Sequence, residues 1–186
     1  MSKKESGDSN SSVVTRGKRS GVSAFCGHNT RKPLNHIFIQ MNGTISTRVF
    51  VYGTLKPGGF YHNRFCGPFN FDSVEAYTLG KLFDFPQLGY PGALEDENSR
   101  IKGILLRFYN PESAVLRKLD YLEGYDPHQA PEKNEYYRKQ VPIFRTAISA
   151  KPSESAWCYF MDTRTISKLG GIYIPDGFWS LRNPPI

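Results

Sequence analysis

Only one stretch of this sequence repeats its apolar residues at helical spacing, and that scarcity of helix is what most limits the folds open to the chain. Val115, Leu119 and Leu122 fall on one helix face at i, i+4 and i+7. Asn110-Pro111 offers a start, because Asn caps orphan amides and Pro suits the first helical turn, and Gly124 supplies the stop. Elsewhere the apolar residues come in short aromatic and β-branched runs broken by Gly and Pro. These runs occupy residues 49–52, 69–75, 77–85, 101–108, 136–144 and 156–160, with 172–179 either strand or loop. Thirteen Phe and eleven Tyr suit the pleated surface of a sheet, and thirteen Pro and seventeen Gly serve its connections. Gly103, inside one run, marks a bulge or a close approach. Many strands around one good helix predict an α+β fold whose sheet curls or closes.

The chain has 186 residues and a net charge of +7, which on its own would point to nucleic acid. The charge is unevenly placed. Residues 1–48 hold eight Lys or Arg against Glu5 and Asp8, which leaves 16 basic and 15 acidic residues for the rest. A nearly neutral body suits a small-molecule enzyme better than a phosphate-backbone binder, so no nucleic-acid partner is expected. Residues 1–47, Ser-rich, basic and without periodicity, are expected to be a disordered extension, with Met41 as an alternative start and 48–186 as the folded domain. Binding of nucleic acid or of a surface through residues 1–33 would show steep salt dependence.

No apolar run approaches the roughly 18–20 residues of a membrane span, and the start lacks the apolar core of a secretory signal. Cys26, Cys66 and Cys158 are an odd count without CxxC spacing, which fits a reducing compartment and a cytoplasmic location. The Arg/Ser bias of the first residues makes organelle targeting the alternative. His28, His36, His62 and His128 stand apart, so no metal site is expected.

Two features could carry chemistry. Residues 53–59, Gly-Thr-Leu-Lys-Pro-Gly-Gly, follow a strand, and a glycine-rich loop there lets backbone N–H groups converge on a carboxylate or oxyanion. Gly53 and Gly58 have phosphate-loop spacing, but Gly59-Phe60 stands where that motif needs Lys and Ser or Thr, which excludes an NTPase. The second is Glu123, at the helix end among Leu119, Tyr121, Leu122 and Tyr125. Desolvation and the negative helix terminus would both raise its pKa towards the range of a general acid/base. On the residues alone, a tight turn is the commoner reading of the loop, and a solvated surface glutamate the commoner reading of Glu123. In 136–141, alternation places Tyr137 and Lys139 on one face and Arg138 on the other. There is no GxSxG elbow and no HExxH.

Val49-Phe50-Val51-Tyr52-Gly53-Thr54-Leu55, Tyr90-Pro91-Gly92, Leu119-Asp120 through Glu123-Gly124-Tyr125, Tyr137-Arg138 with Val141, and the late strand around Trp157 and Tyr159 occur in an order that resembles the gamma-glutamylcyclotransferase-like superfamily, including its gamma-glutamylamine cyclotransferase branch. The resemblance spans roughly residues 48–180. It implies a small mixed β-barrel or roll with one main helix and short peripheral helices. It also implies conversion of a gamma-glutamyl amide or amine to 5-oxoproline and a free amine without a cofactor. Carried over, Tyr52, Gly53, Thr54 and Leu55 bind the substrate, Glu123 is the general acid/base, and Tyr137 is a pocket-lining hydroxyl. The alternative is a non-catalytic or repurposed small-molecule-binding or interaction module of the same fold. Three places depart from the family pattern: Pro142, which predicts an edge strand, the closing segment 174–179, and the long polar loop 126–134 beside Glu123. The last two put the identity of the leaving group in question. Oligomeric state is not legible in the sequence.

Overall fold

A computed structural model describes residues 44, 45 and 47–181. Apart from three residues, the expected disordered extension lies outside the described residues, as do Met41, Cys26, His28 and His36.

Among the described residues, eight strands and three α-helices follow one another as β1 (Thr47–Val51), α1 (His62–Phe65), β2 (Phe71–Leu79), β3 (Lys81–Phe85), β4 (Tyr90–Leu94), β5 (Arg100–Phe108), α2 (Glu112–Glu123), β6 (Tyr137–Ile143), β7 (Glu154–Phe160), α3 (Thr163–Lys168) and β8 (Ile172–Ile174). The fold is α+β with two sheets. Five strands take the order β2-β5-β1-β7-β6, and three take the order β4-β3-β8. All pairings are antiparallel except β1 with β7. The large sheet curls until its edge strands meet at one point, where Tyr77 and Phe144 exchange two backbone hydrogen bonds of 2.8 Å. Beside them Thr78 Oγ1 donates to the Pro142 carbonyl at 2.8 Å. The sheet is therefore a roll pinned at one end rather than a closed barrel.

β1 explains the core. Its residues are buried on both sides, as a central strand's should be. Val49 and Val51 pack with Val115 and Leu119 of α2, while Phe50 and Tyr52 point the other way to Leu82, Ile101 and Trp179. Glycine is required at Gly103, where a Cβ would stand 2.5 Å from the Val51 carbonyl oxygen. The β2–β5 register runs unbroken past it, so the residue marks a close approach and not a bulge.

The helix of the sequence reading is α2, stopped by Gly124 in the left-handed conformation at φ 62°. Pro111 holds the N-cap position, while Asn110 accepts from the Asn70 amide at 2.8 Å. Pro142 does lie in an edge strand, β6. The break between the second and third apolar runs falls at Gly80, with φ 148°, rather than at Ala76. β4 was not foreseen, because Pro91 reads as a strand breaker; β4 is an edge strand, where a missing amide is tolerated. Among the described residues, no helix is long and apolar enough to cross a membrane.

The chain's last described segment folds back onto the sheets. Trp179 is 1% exposed and donates through Nε1 to Asp84 at 2.8 Å, and its carbonyl accepts from Lys56 Nζ. That contact ties residues 53–59, the loop after β1, to the far end of the sequence.

Candidate active site

The loop after β1, the start of β4 and the C-terminus of α2 enclose a cavity of about 160 Å³. Its floor is backbone. Gly53 lies so close to Pro91 that a Cβ would stand 2.8 Å from the proline ring, so only glycine lets the loop sit here. The loop is folded by its own bonds: Lys56 N to the Gly53 carbonyl at 3.0 Å, Gly59 N to the Lys56 carbonyl at 2.7 Å, and Tyr61 N to the Thr54 carbonyl at 3.2 Å. His62 donates from Nδ1 to the Leu55 carbonyl at 2.8 Å, which assigns it a capping role. The N–H groups of Gly53, Thr54 and Leu55 donate to no carbonyl among the described residues. Gly53 and Leu55 are buried. Unpaired amides in buried residues are rare because each costs desolvation energy, and three in sequence beside a cavity, those of Gly53 and Leu55 in buried residues and that of Thr54 in a half-buried one, form a receptor for an anionic or carbonyl oxygen.

Glu123, the last residue of α2, lines the same cavity. Its pKa is raised from 4.5 to about 8, chiefly by burial, then by the charges of Glu135 and Asp120. None of the described residues makes a hydrogen bond to its carboxylate, so its oxygens are available to a ligand. Asp120, one helical turn earlier, is engaged by Arg138 at 2.6 and 2.7 Å and by the Tyr159 hydroxyl at 2.7 Å. Held in that ion pair, it acts on Glu123 as a fixed negative charge.

Tyrosines make most of the remaining wall, and the protein itself holds the hydroxyls of Tyr52, Tyr90, Tyr136 and Tyr159. Tyr52 donates to the Tyr159 carbonyl at 2.8 Å and accepts from Ala93 N at 3.3 Å. Tyr136 donates to the Pro91 carbonyl at 2.9 Å and Tyr90 to Glu135 at 2.7 Å. Burial pushes the Tyr52, Tyr136 and Tyr159 phenols well above their usual range, so they stay neutral. Burial likewise pushes Cys66 up to about 12 and raises Cys158. Glu123 is thus the group here that exchanges a proton near neutrality. Among the described residues, no three His, Cys, Asp or Glu side chains gather as metal ligands.

Tyr52, Gly53, Thr54, Leu55 and Glu123 therefore come together around one cavity. Tyr137 does not. It sits on the opposite face of β6 with Lys139, and both hold Glu95, Tyr137 through a 2.7 Å hydrogen bond. Its neighbour Tyr136 takes the cavity face. Two adjacent tyrosines at a strand start point to opposite sides, and alternation alone cannot say which side is the site. Glu135, Tyr90 and Tyr159 also line the cavity, and of these Tyr90 and Tyr159 belong to segments that carry the resemblance, whereas no sequence signal marks Glu135. Glu135 is delivered by the loop 126–134, which Asn134 clamps by accepting from Asp126 N at 2.9 Å and donating to its carbonyl at 3.2 Å.

Known structures are similar to this chain. An AIG2-like protein from Mus musculus is 20% identical, with a TM-score of 0.52 over 77% of this chain and 98% of that one. A protein of Arabidopsis thaliana known in solution is 24% identical, with a TM-score of 0.48, covering 65% and 72%. YkqA from Bacillus subtilis is 21% identical, with a TM-score of 0.49 over 72% of this chain, which spans 39% of its length. No curated protein matches the chain. Residues 49–181 match the family model described as gamma-glutamyl cyclotransferase, AIG2-like. The chain belongs to the gamma-glutamyl cyclotransferase, AIG2-like family.

Proposed function

We propose that the protein converts a gamma-glutamyl amide or amine to 5-oxoproline and a free amine, with Glu123 as the general acid/base. The observation that carries this reading is the pairing, around one cavity, of a carboxyl group titrating at about 8 with the unpartnered amides of residues 53–55. The substrate supplies its own nucleophile. Its α-amine attacks its γ-carbonyl carbon and closes a five-membered ring, and the bond to the departing nitrogen breaks. Glu123 takes the proton that the attacking nitrogen sheds and gives it to the leaving nitrogen, so atoms balance without water. The buried amides receive an oxygen of the glutamyl head, and the tyrosine wall keeps water from competing. Ring closure gains less from positioning than a bimolecular step would, since the reactants are already joined, so proton transfer carries more of the acceleration.

The test is 5-oxoproline release from gamma-glutamyl amino acids, gamma-glutamylamines and glutathione, comparing the parent with Glu123→Gln. The substitution keeps size and removes the exchangeable proton. The expected loss is roughly 10²–10⁴-fold. Equal release by both proteins would move the proton chemistry to another residue. No release by a folded parent that still binds these compounds would leave a binding module.

A further inference from the structure

We infer that Lys56 is a positioning residue: held by the Trp179 carbonyl on the closing segment, it sets the loop after β1 so that the amides of residues 53–55 converge on the glutamyl head. This rests on the cyclotransferase reading. It gives a role to the closing segment 174–179, one of the places where the chain departs from the family pattern.

The bonds inside the loop fold residues 53–59 without tying them to the closing segment. That tie is made by side chains. Lys56 Nζ donates to the Trp179 carbonyl, and Leu181 Cδ1 lies 3.6 Å from where a Cβ on Gly58 would stand. Lys56 is 6% exposed, and lysine is seldom buried to that extent without a carboxylate partner. Its ammonium is held instead by a neutral carbonyl and by two ring faces, Phe178 at 4.6 Å and Trp179 at 5.9 Å. Burial, and then the charge of Lys102, lower its pKa, so the position costs stability that a solvated lysine would not cost.

The anchor is itself fixed. The Gly177 carbonyl accepts from Lys102 N at 2.9 Å. Gly177 has φ 65°, and a Cβ there would stand 2.0 Å from the Arg100 carbonyl oxygen, so the segment fits against β5 only as glycine. Two residues on, the buried Trp179 indole donates to Asp84. A carbonyl held from both sides cannot follow the loop, so the loop follows the carbonyl. Gly53 is set against the Pro91 ring at one end of the amide run, and Lys56 is set by Trp179 at the other. The amides of Thr54 and Leu55 lie between these two fixed points, and a turn of either peptide plane would swing an N–H away from the cavity.

Lys56→Met keeps the length and the apolar stem and removes the donor. In steady-state release of 5-oxoproline from gamma-glutamylbutylamide, its KM is expected to be about tenfold above the parent's, with kcat within about threefold. A lysine that served stability alone would change the melting temperature or the active fraction and leave KM where it was. Gly177→Ala displaces the anchor while Lys56 stays intact. It is expected to raise KM as well, and the double substitution no further than the larger single effect. Calorimetric binding of the same compound to Glu123→Gln, with and without Lys56→Met, reads the loss of affinity without turnover. Parental KM and affinity in a folded Lys56→Met protein, or single effects that multiply in the double, would overturn the inference and leave the reaction standing. Should Lys56→Met not fold, a parental KM in Gly177→Ala would overturn it equally. No 5-oxoproline from the parent, with affinity still lowered by Lys56→Met, would overturn the reaction alone, and no binding at all would overturn both.

Discussion

A carboxyl group held near pKa 8 has consequences for both activity and stability. As a base Glu123 must be ionised, so kcat/KM is expected to rise with pH through an inflection near 8, read from initial rates across pH. Removing the neighbouring charge with Glu135→Gln lowers the cost of ionisation, and the inflection should move to lower pH. Stability runs the other way. Below about pH 4 the carboxyl is protonated whether the chain is folded or not; above that, the unfolded chain ionises it while the folded protein does not, so stability is lost as pH rises towards 8. Glu123→Gln should therefore melt with the parent near pH 4 and above it near pH 8.5, by an amount of order a few kcal/mol, seen in thermal scans at the two pH values. Much of this residue was legible, because Leu119, Leu122 and Gly124 place Glu123 at a helix end in apolar company. The charges that complete its shift were not. Glu135 arrives through a loop clamp, and the ion pair that fixes Asp120 comes from Arg138, eighteen residues on in β6.

At the level of elements, the site depends on how closely a loop can approach a strand. Gly53→Ala would set a Cβ 2.8 Å from the Pro91 ring, so either the loop or β4 must give way. Overpacking of that kind costs about 1–3 kcal/mol, and it displaces the amides that line the floor. A higher KM with a smaller change in kcat is expected, checked by steady-state kinetics beside a urea melt. The sequence announced this loop through its glycines and announced Gly103 through its place in a strand, since both report backbone approach at short range. Register is a different matter. Tyr137 opens β6 and Tyr136 immediately precedes it, and which side each takes is set by the pairing of β6 with β7, from Tyr137 opposite Phe160 to Ile143 opposite Glu154. No local pattern contains that information, so the sequence does not say which of the two tyrosines faces the cavity. β4 escaped notice for a related reason, because a Pro-Gly pair looks like a turn until an edge position makes it acceptable in a strand.

For the molecule as a whole, long-range ties replace a closed ladder. The roll is pinned at Tyr77 and Phe144, and the last described segment is pinned by Trp179 to Asp84 and Lys56. Trp179→Ala removes a side chain 1% exposed and leaves Asp84 without that indole donor, so a loss of about 3–5 kcal/mol is expected in denaturant unfolding. The class of fold was legible from one helical repeat among many short aromatic runs. The gap in the roll was not, since it depends on how far the sheet curls. The tie between Lys56 and the Trp179 carbonyl also sets an order of events during synthesis. The glycine loop leaves the ribosome early, yet the carbonyl that holds its lysine is made more than a hundred residues later. A nascent chain that has already emerged through β7 is on that account still without the anchor of its glycine loop, which waits on the docking of the segment that carries Trp179.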